Sequence, residues 1–203
     1  MRLEPCPTLP SELPLQKIVL AVALSLASTT FALAQTAAPA GPVATPDNTL
    51  VIELKSGKVL VQLLPNLAPK HVERVKTLAA KGFYDGIKFH RVIDGFMAQT
   101  GDPTGTGTGG SDLPDLQAEF TRYAYRRGTV GAARTGNPNS ANSQFYMCFN
   151  DQGCLSLTGQ YTVWGQVIQG MEHVDKIKRG APGSGEVTAP DVMQKVYLQS
   201  AAR

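Results

Sequence analysis

The stretch F-H-R-V-I-D-G-F-M-A-Q-T-G-D-P-T-G-T-G-T-G-G, residues 89–110, sets a single arginine, Arg91, among aromatic and aliphatic residues, with a glycine run behind it. By spacing, no nucleophile, acid–base pair or metal-ligand cluster accompanies it. If residues 89–93 form a regular strand, Arg91 shares a face with Phe89 and Ile93, and in the next strand Met97 and Gln99 share one. An apolar patch holding one fork of N–H donors could receive a neutral ligand rather than a carboxylate. The competing reading is an arginine that lies over apolar surface or pairs with Asp94, Asp102 or Glu119.

Other chemistries find less support. Gly105-x-Gly107-x-x-Gly110 matches the dinucleotide pattern letter for letter, but that pattern works only between a strand and a helix whose N-terminus meets a pyrophosphate. Here D-P-T leads in and S-D-L-P-D leads out, so the run reads as a long loop. No serine lies in a G-x-S-x-G elbow. His90 and His173 are the candidate bases, and His90 reads as a core histidine, since one imidazole without a positioned nucleophile makes no triad. His71, with no cysteine or second histidine near it, reads as a surface residue rather than a ligand. No metal and no cofactor are implied.

The elements that must position these residues belong to one domain. The chain has 203 residues, 42% hydrophobic and 17% charged, and its 20 Gly and 14 Pro point to turns and β structure rather than a bundle. The net charge of +3 is scattered, which speaks against nucleic acid as a partner. Ile18 to Ala34 is an apolar run behind Lys17 that closes in a small-x-small pattern, so residues 1–34 read as a secretory signal peptide cut after Ala34. Export to the periplasm follows, with no membrane contact in the mature form. Residues 35–47 are an Ala/Pro-rich tether, and the domain runs over 48–203. Export permits a disulfide between Cys148 and Cys154. The alternative, a free buried thiol within S-Q-F-Y-M-C-F, is at least as favoured.

Within the domain, T-L-V-I-E-L and K-V-L-V-Q-L-L flank Ser56-Gly57 as a hairpin. Pro65 and Pro69 bracket a helix start, and Val72, Val75, Leu78 and Ala79 recur at helical spacing before Gly82. Five short β-like runs follow, then M-E-H-V-D-K-I-K-R as a short helix ending near Gly180, then D-V-M-Q-K-V-Y-L. Eight strands and two helices argue for a closed or nearly closed antiparallel barrel.

The order Phe89-His90-Arg91-Val92-Ile93-x-Gly95-Phe96-Met97-x-Gln99-x-Gly101-Asp102, the block Asn142-Ser143-Gln144-Phe145-Tyr146, and Leu157-x-Gly159-x-Tyr161-x-Val163-Trp164-Gly165 resemble the signature of the cyclophilin family of peptidyl-prolyl cis-trans isomerases. The likeness extends over residues 49–198. It implies a mainly β fold, a closed eight-stranded antiparallel β-barrel capped by two α-helices, with a groove on the outer face. It also implies that Arg91 is catalytic and that Phe96, Met97, Tyr146 and Leu157 grip a proline, with Phe145 beside them. Gln99, Gln144, Tyr161 and the backbone around Ala133 and Arg134 would hold the flanking peptide, Phe96 turning toward Met97 through a kink near Gly95. The substrates implied are proline-containing segments of unfolded or folding proteins, met by a monomer. Ser156 stands where many eukaryotic relatives have a rim tryptophan, Tyr161 replaces histidine, Tyr146 phenylalanine and Arg134 asparagine, departures that resemble the exported bacterial branch. A proline-peptide-binding or chaperone module without turnover is the rival reading.

Overall fold

The structure, a computed structural model, describes residues 44–201. The expected leader with its cut after Ala34, and most of the tether, lie outside the described residues. Eight strands form one antiparallel sheet: β1 (Thr49–Leu54), β2 (Gly57–Leu63), β3 (Arg91–Ile93), β4 (Met97–Thr100), β5 (Thr129–Ala132), β6 (Phe145–Cys148), β7 (Val163–Gln169) and β8 (Lys195–Leu198). Each falls inside a run that its β-branched and aromatic residues mark out.

The strand order is β3-β4-β6-β5-β7-β2-β1-β8, so the sheet is curled into a half-barrel and the expected closed barrel is not formed. The reason lies in β3. Its outer edge is already taken by the segment before β8: the Val92 amide donates to the Gly185 carbonyl, the Gly180 amide to the Val92 carbonyl, and the Val187 amide to the His90 carbonyl. Backbone groups satisfied in this way leave nothing for β8 to pair with. Isolated bridges at Lys88/Val192 and Arg91/Glu186 span the gap.

Strand alternation sorts the apolar residues into two clusters. In β6, Phe145 and Met147 join the main core with Trp164, Tyr84, Leu50 and Ile52, while Tyr146 and Cys148 face a second cluster with Met97, Cys154, Val163 and Tyr125. Both faces of β6 are therefore covered, and all four of its residues are buried. The alternation assumed upstream of β3 does not hold. The regular strand begins only at Arg91, so Phe89 packs in the main core while Ile93 leans on the second cluster.

Helix α1 (Pro69–Ala80) buries Val72, Val75, Leu78 and Ala79, as its spacing predicts, and ends before Gly82. His71 corrects the sequence reading: it is 3% exposed, and its Nδ1 lies 2.6 Å from Glu119 Oε2. The cause is the start of the helix. Ala68 offers no side-chain cap, so the amides of Lys70 and His71 donate to the Glu119 carboxylate, which draws the loop carrying Glu119 over the histidine. Burial pulls the His71 pKa down against the upward pull of Glu119.

Two further four-residue helices, α2 (Asp151–Cys154) and α3 (Met171–Val174), complete the elements relevant to the site. The described residues thus hold three α-helices where two were expected, α2 being the one the sequence does not announce. The helix expected to reach Gly180 stops at Val174. The Lys178 amide, which a continued helix would spend on Val174, donates instead to Asp191 Oδ2 at 2.8 Å. Cys148 and Cys154 are joined as a disulfide, not left as free thiols. The turn that Asn150 caps through the Gly153 amide folds Cys154 back beneath the end of β6, a tertiary return that the strand-like sequence around Cys148 does not announce.

Candidate active site

Register builds the site. Arg91 pairs with Gln99, Gln99 with Tyr146, and Tyr146 with Gly131, so one row of residues crosses β3, β4, β6 and β5. The next row on the same face carries Ile93, Met97 and Cys148. Gly95, at φ +68°, turns β3 into β4 with a bond from the Phe96 amide to the Ile93 carbonyl, which is the kink that lets Phe96 and Met97 serve one hollow.

That hollow has a volume of about 210 Å³. Phe96, Met97, Tyr146 and Leu157 line it, with Arg91, Gln99, Ala133, Arg134 and Tyr161 completing the wall. Of the residues expected to touch a ligand, two lie elsewhere. Gln144 lines an adjoining outer hollow of about 450 Å³, together with the glycine loop, Asp115 and Asn142. Phe145 corrects the sequence reading, because its side chain is 1% exposed in the core, edge-on to Tyr84 and Trp164. It opens β6 immediately before Tyr146, and a strand cannot point neighbours the same way.

Arg91 is half-buried and, among the described residues, held by neutral acceptors alone. Its Nε donates to the Ser184 carbonyl at 3.2 Å and its Nη1 to Gln99 Oε1 at 3.4 Å. The three acids that the sequence offered as partners are engaged elsewhere. Asp94 pairs with Arg179 at 2.9 Å, Glu119 with His71, and Asp102 with its own loop. The guanidinium thus keeps its full charge beside an apolar wall.

A relay of amides runs from Arg91 to the glycine loop. Gln99 Nε2 donates to Gln144 Oε1 at 2.9 Å, and Gln144 Nε2 donates to the carbonyls of Gly107 and Gly109 at 3.0 and 2.8 Å. The loop itself is wound around Asp102, which is 1% exposed. Its carboxylate accepts from the amides of Thr104, Thr106, Gly107 and Gly109 and from the Thr104 hydroxyl. The run that imitates a nucleotide fingerprint therefore spends its amides on an internal anion.

Burial alone would raise the Asp102 pKa, but the Thr104 hydroxyl and the Gly109, Thr104 and Gly107 amides outweigh it and hold the group down at about 2. Because the folded value is depressed from 3.8, the stabilisation is complete above that pH and is lost as pH falls through about 2. The amide resonances of Gly107 and Gly109 are expected to move together as pH falls through about 2. A midpoint near 3.8 in an NMR titration would show that the loop does not hold the carboxylate.

Sequence reasoning missed three contributors. Ser184 supplies a carbonyl to Arg91 from 93 residues away. Asp102 was considered only as a possible ion-pair partner. Tyr125 lies in an irregular segment with no period, yet its hydroxyl accepts from the Tyr146 hydroxyl at 3.0 Å and donates to the Thr162 carbonyl at 3.4 Å. Gly131 makes room for both phenols, since a Cβ there would strike the Tyr125 hydroxyl. The Tyr146 pKa is raised, first by burial and then by Tyr125. Tyr146 thus meets the hollow as a neutral ring whose hydroxyl is bonded to the buried Tyr125 behind it.

The family model described as "Cyclophilin type peptidyl-prolyl cis-trans isomerase/CLD" matches residues 49–198. A "Probable peptidyl-prolyl cis-trans isomerase" of Brucella suis is 50% identical over 169 residues, covering 77% of this chain and 85% of that protein. A human "Peptidyl-prolyl cis-trans isomerase-like 3" is 39% identical over 127 residues, covering 61% of this chain and 77% of its own. Among solved structures, a cyclophilin from Hirschia baltica superposes with a TM-score of 0.66 at 25% identity, covering 79% of this chain and 77% of that one. A cyclophilin-type isomerase of Cryptosporidium parvum, crystallised in the presence of the dipeptide Ala-Pro, superposes with a TM-score of 0.65 at 26% identity, covering 74% and 98%.

Proposed function

This chain belongs to the cyclophilin-type peptidyl-prolyl cis-trans isomerase family, and we propose that it is an exported folding catalyst that turns X-Pro bonds in unfolded or folding proteins. The observation that carries the reading is a guanidinium bound to neutral acceptors at the wall of a hollow of about 210 Å³ that Phe96, Met97, Tyr146 and Leu157 line.

Amide resonance sets a rotation barrier of ~18–20 kcal/mol, and uncatalysed X-Pro exchange takes roughly tens to hundreds of seconds. No bond has to break. Halfway through the turn the proline nitrogen becomes pyramidal and regains a lone pair that the planar ground state lacks. A fixed N–H donor of Arg91 facing that nitrogen binds the twisted state more strongly than either isomer, which lowers the barrier. Arginine suits the task because its charge is permanent and its fork rigid. Phe96, Met97, Tyr146 and Leu157 would hold the ring while the acyl side swings, and the low polarity around them strengthens the cation's field.

The neighbour crystallised with Ala-Pro supports a proline dipeptide as the minimal ligand class here. Export draws on the apolar run Ile18 to Ala34 and on the Cys148–Cys154 disulfide, which suits an oxidising compartment. The function is tested by following a short X-Pro peptide in a protease-coupled or NMR exchange assay. Accelerated exchange is expected. Binding of the peptide without any acceleration would reduce the protein to a proline-peptide holder.

A further inference from the structure

We infer that Arg134 selects substrates by charge, favouring an acidic residue at one position flanking the proline. The inference rests on the isomerase reading above. Arg134 lines both hollows and so forms the ridge a peptide must cross in passing from one to the other. Its guanidinium is held in place: Nη1 donates to the Thr135 carbonyl at 2.9 Å, Nη2 to the Gln160 carbonyl at 3.0 Å, and the group lies 4.4 Å over the Tyr161 ring with Phe120 at 5.9 Å. Those partners orient the charge without neutralising it. No carboxylate among the described residues lies within ion-pair distance, and its Nε is buried without a hydrogen-bond partner.

A cation pinned by carbonyls and an aromatic face loses little side-chain entropy when it meets an anion, so the usual cost of a surface ion pair is largely removed in advance. Arg91 adds a second positive charge on the inner side of the ridge. On the outer side stands Asp115, whose Oδ1 accepts from Asn142 at 3.0 Å. An acidic side chain that ran on into the outer hollow would meet Asp115, so the preference is confined to the residue crossing the ridge. Lysine at that residue is repelled.

The test uses the whole protein and short X-Pro peptides carrying Glu, Gln or Lys in turn at each of the two positions on either side of the proline. At one position the wild type is expected to turn over the Glu peptide about three- to fivefold better than the Gln peptide in kcat/KM, the scale of a solvent-touched ion pair, with Lys below Gln. Raised salt shrinks the difference. In Arg134→Gln the Glu-to-Gln ratio falls to about one, and Arg134→Lys keeps part of it. The ratio is read within each variant, so a general loss of activity does not mask it. Turnover with no charge preference at any position, or a preference that survives Arg134→Gln, overturns the inference and leaves the isomerase reading standing. Failure to turn over any peptide overturns both.

Discussion

Arg91→Ala is expected to lower isomerase kcat/KM by at least about tenfold, the scale seen when a donor aimed at the transition state is removed. The fold should survive, because the bonds lost are two long ones to neutral acceptors at a half-buried position, together worth about 1–2 kcal/mol. Arg91→Lys restores the charge but not the fork. An ammonium's three donors radiate from one nitrogen and lack the fixed planar fork that spans the Ser184 carbonyl, Gln99 and the proline nitrogen, so this variant should stay well below wild type. The outcome separates turnover from binding: a catalyst loses kcat with a modest change in peptide affinity, whereas a module that only holds proline loses affinity alone. Undiminished exchange in Arg91→Ala, with an unchanged melting curve, would remove Arg91 from the mechanism.

Phe145→Ala is expected to be the costliest change to stability, about 3–5 kcal/mol, through the lost burial of the ring and the cavity left behind. Its ring lies 5.6 Å from Tyr84 and 5.3 Å from Trp164, centroid to centroid and edge-on, in the middle of the main core. Against a typical domain stability of ~5–15 kcal/mol the variant would be close to unfolding, so Phe145→Leu, with a smaller void, supplies a measurable intermediate case. Its neighbour provides the contrast. Tyr146→Phe keeps the ring in the hollow and removes one hydroxyl, while Tyr125 retains the Thr162 carbonyl as an acceptor, so its denaturation midpoint should move far less. If Phe145→Leu left the urea midpoint unchanged and weakened peptide binding instead, the side chain would have to lie in the hollow rather than in the core.

That pair of neighbours shows where sequence reasoning reaches its limit. The block around Gln144, Phe145 and Tyr146, like Arg91, Met97, Gln99 and Leu157, stands out through its resemblance to the cyclophilin signature. Placing all three consecutive residues at the ligand ignored alternation, and β6 sends Phe145 the other way. His71 read as surface because nothing nearby in sequence needs it. The carboxylate that covers it comes from 48 residues along, drawn by helix amides that lack a local cap. Cys148 read as a strand thiol because the turn that brings Cys154 beneath it depends on Asn150 and on packing over Phe96.

Unlike α2 and the end of α3, the order of the strands, the first hairpin, the apolar face of α1 and the candidacy of Arg91 were determined by sequence alone. They rest on periodicity, turn residues and side-chain chemistry, all of which act over a few neighbours. Tertiary structure decided what depends on distant partners: that Gly185 and Val187 occupy the edge of β3 and leave the sheet open, that Asp102 organises the glycine loop, and that Asp94 and Glu119 are paired with Arg179 and His71 rather than with Arg91. An arginine's free charge is a property of everything that could have neutralised it, and those groups come together only when the chain is folded.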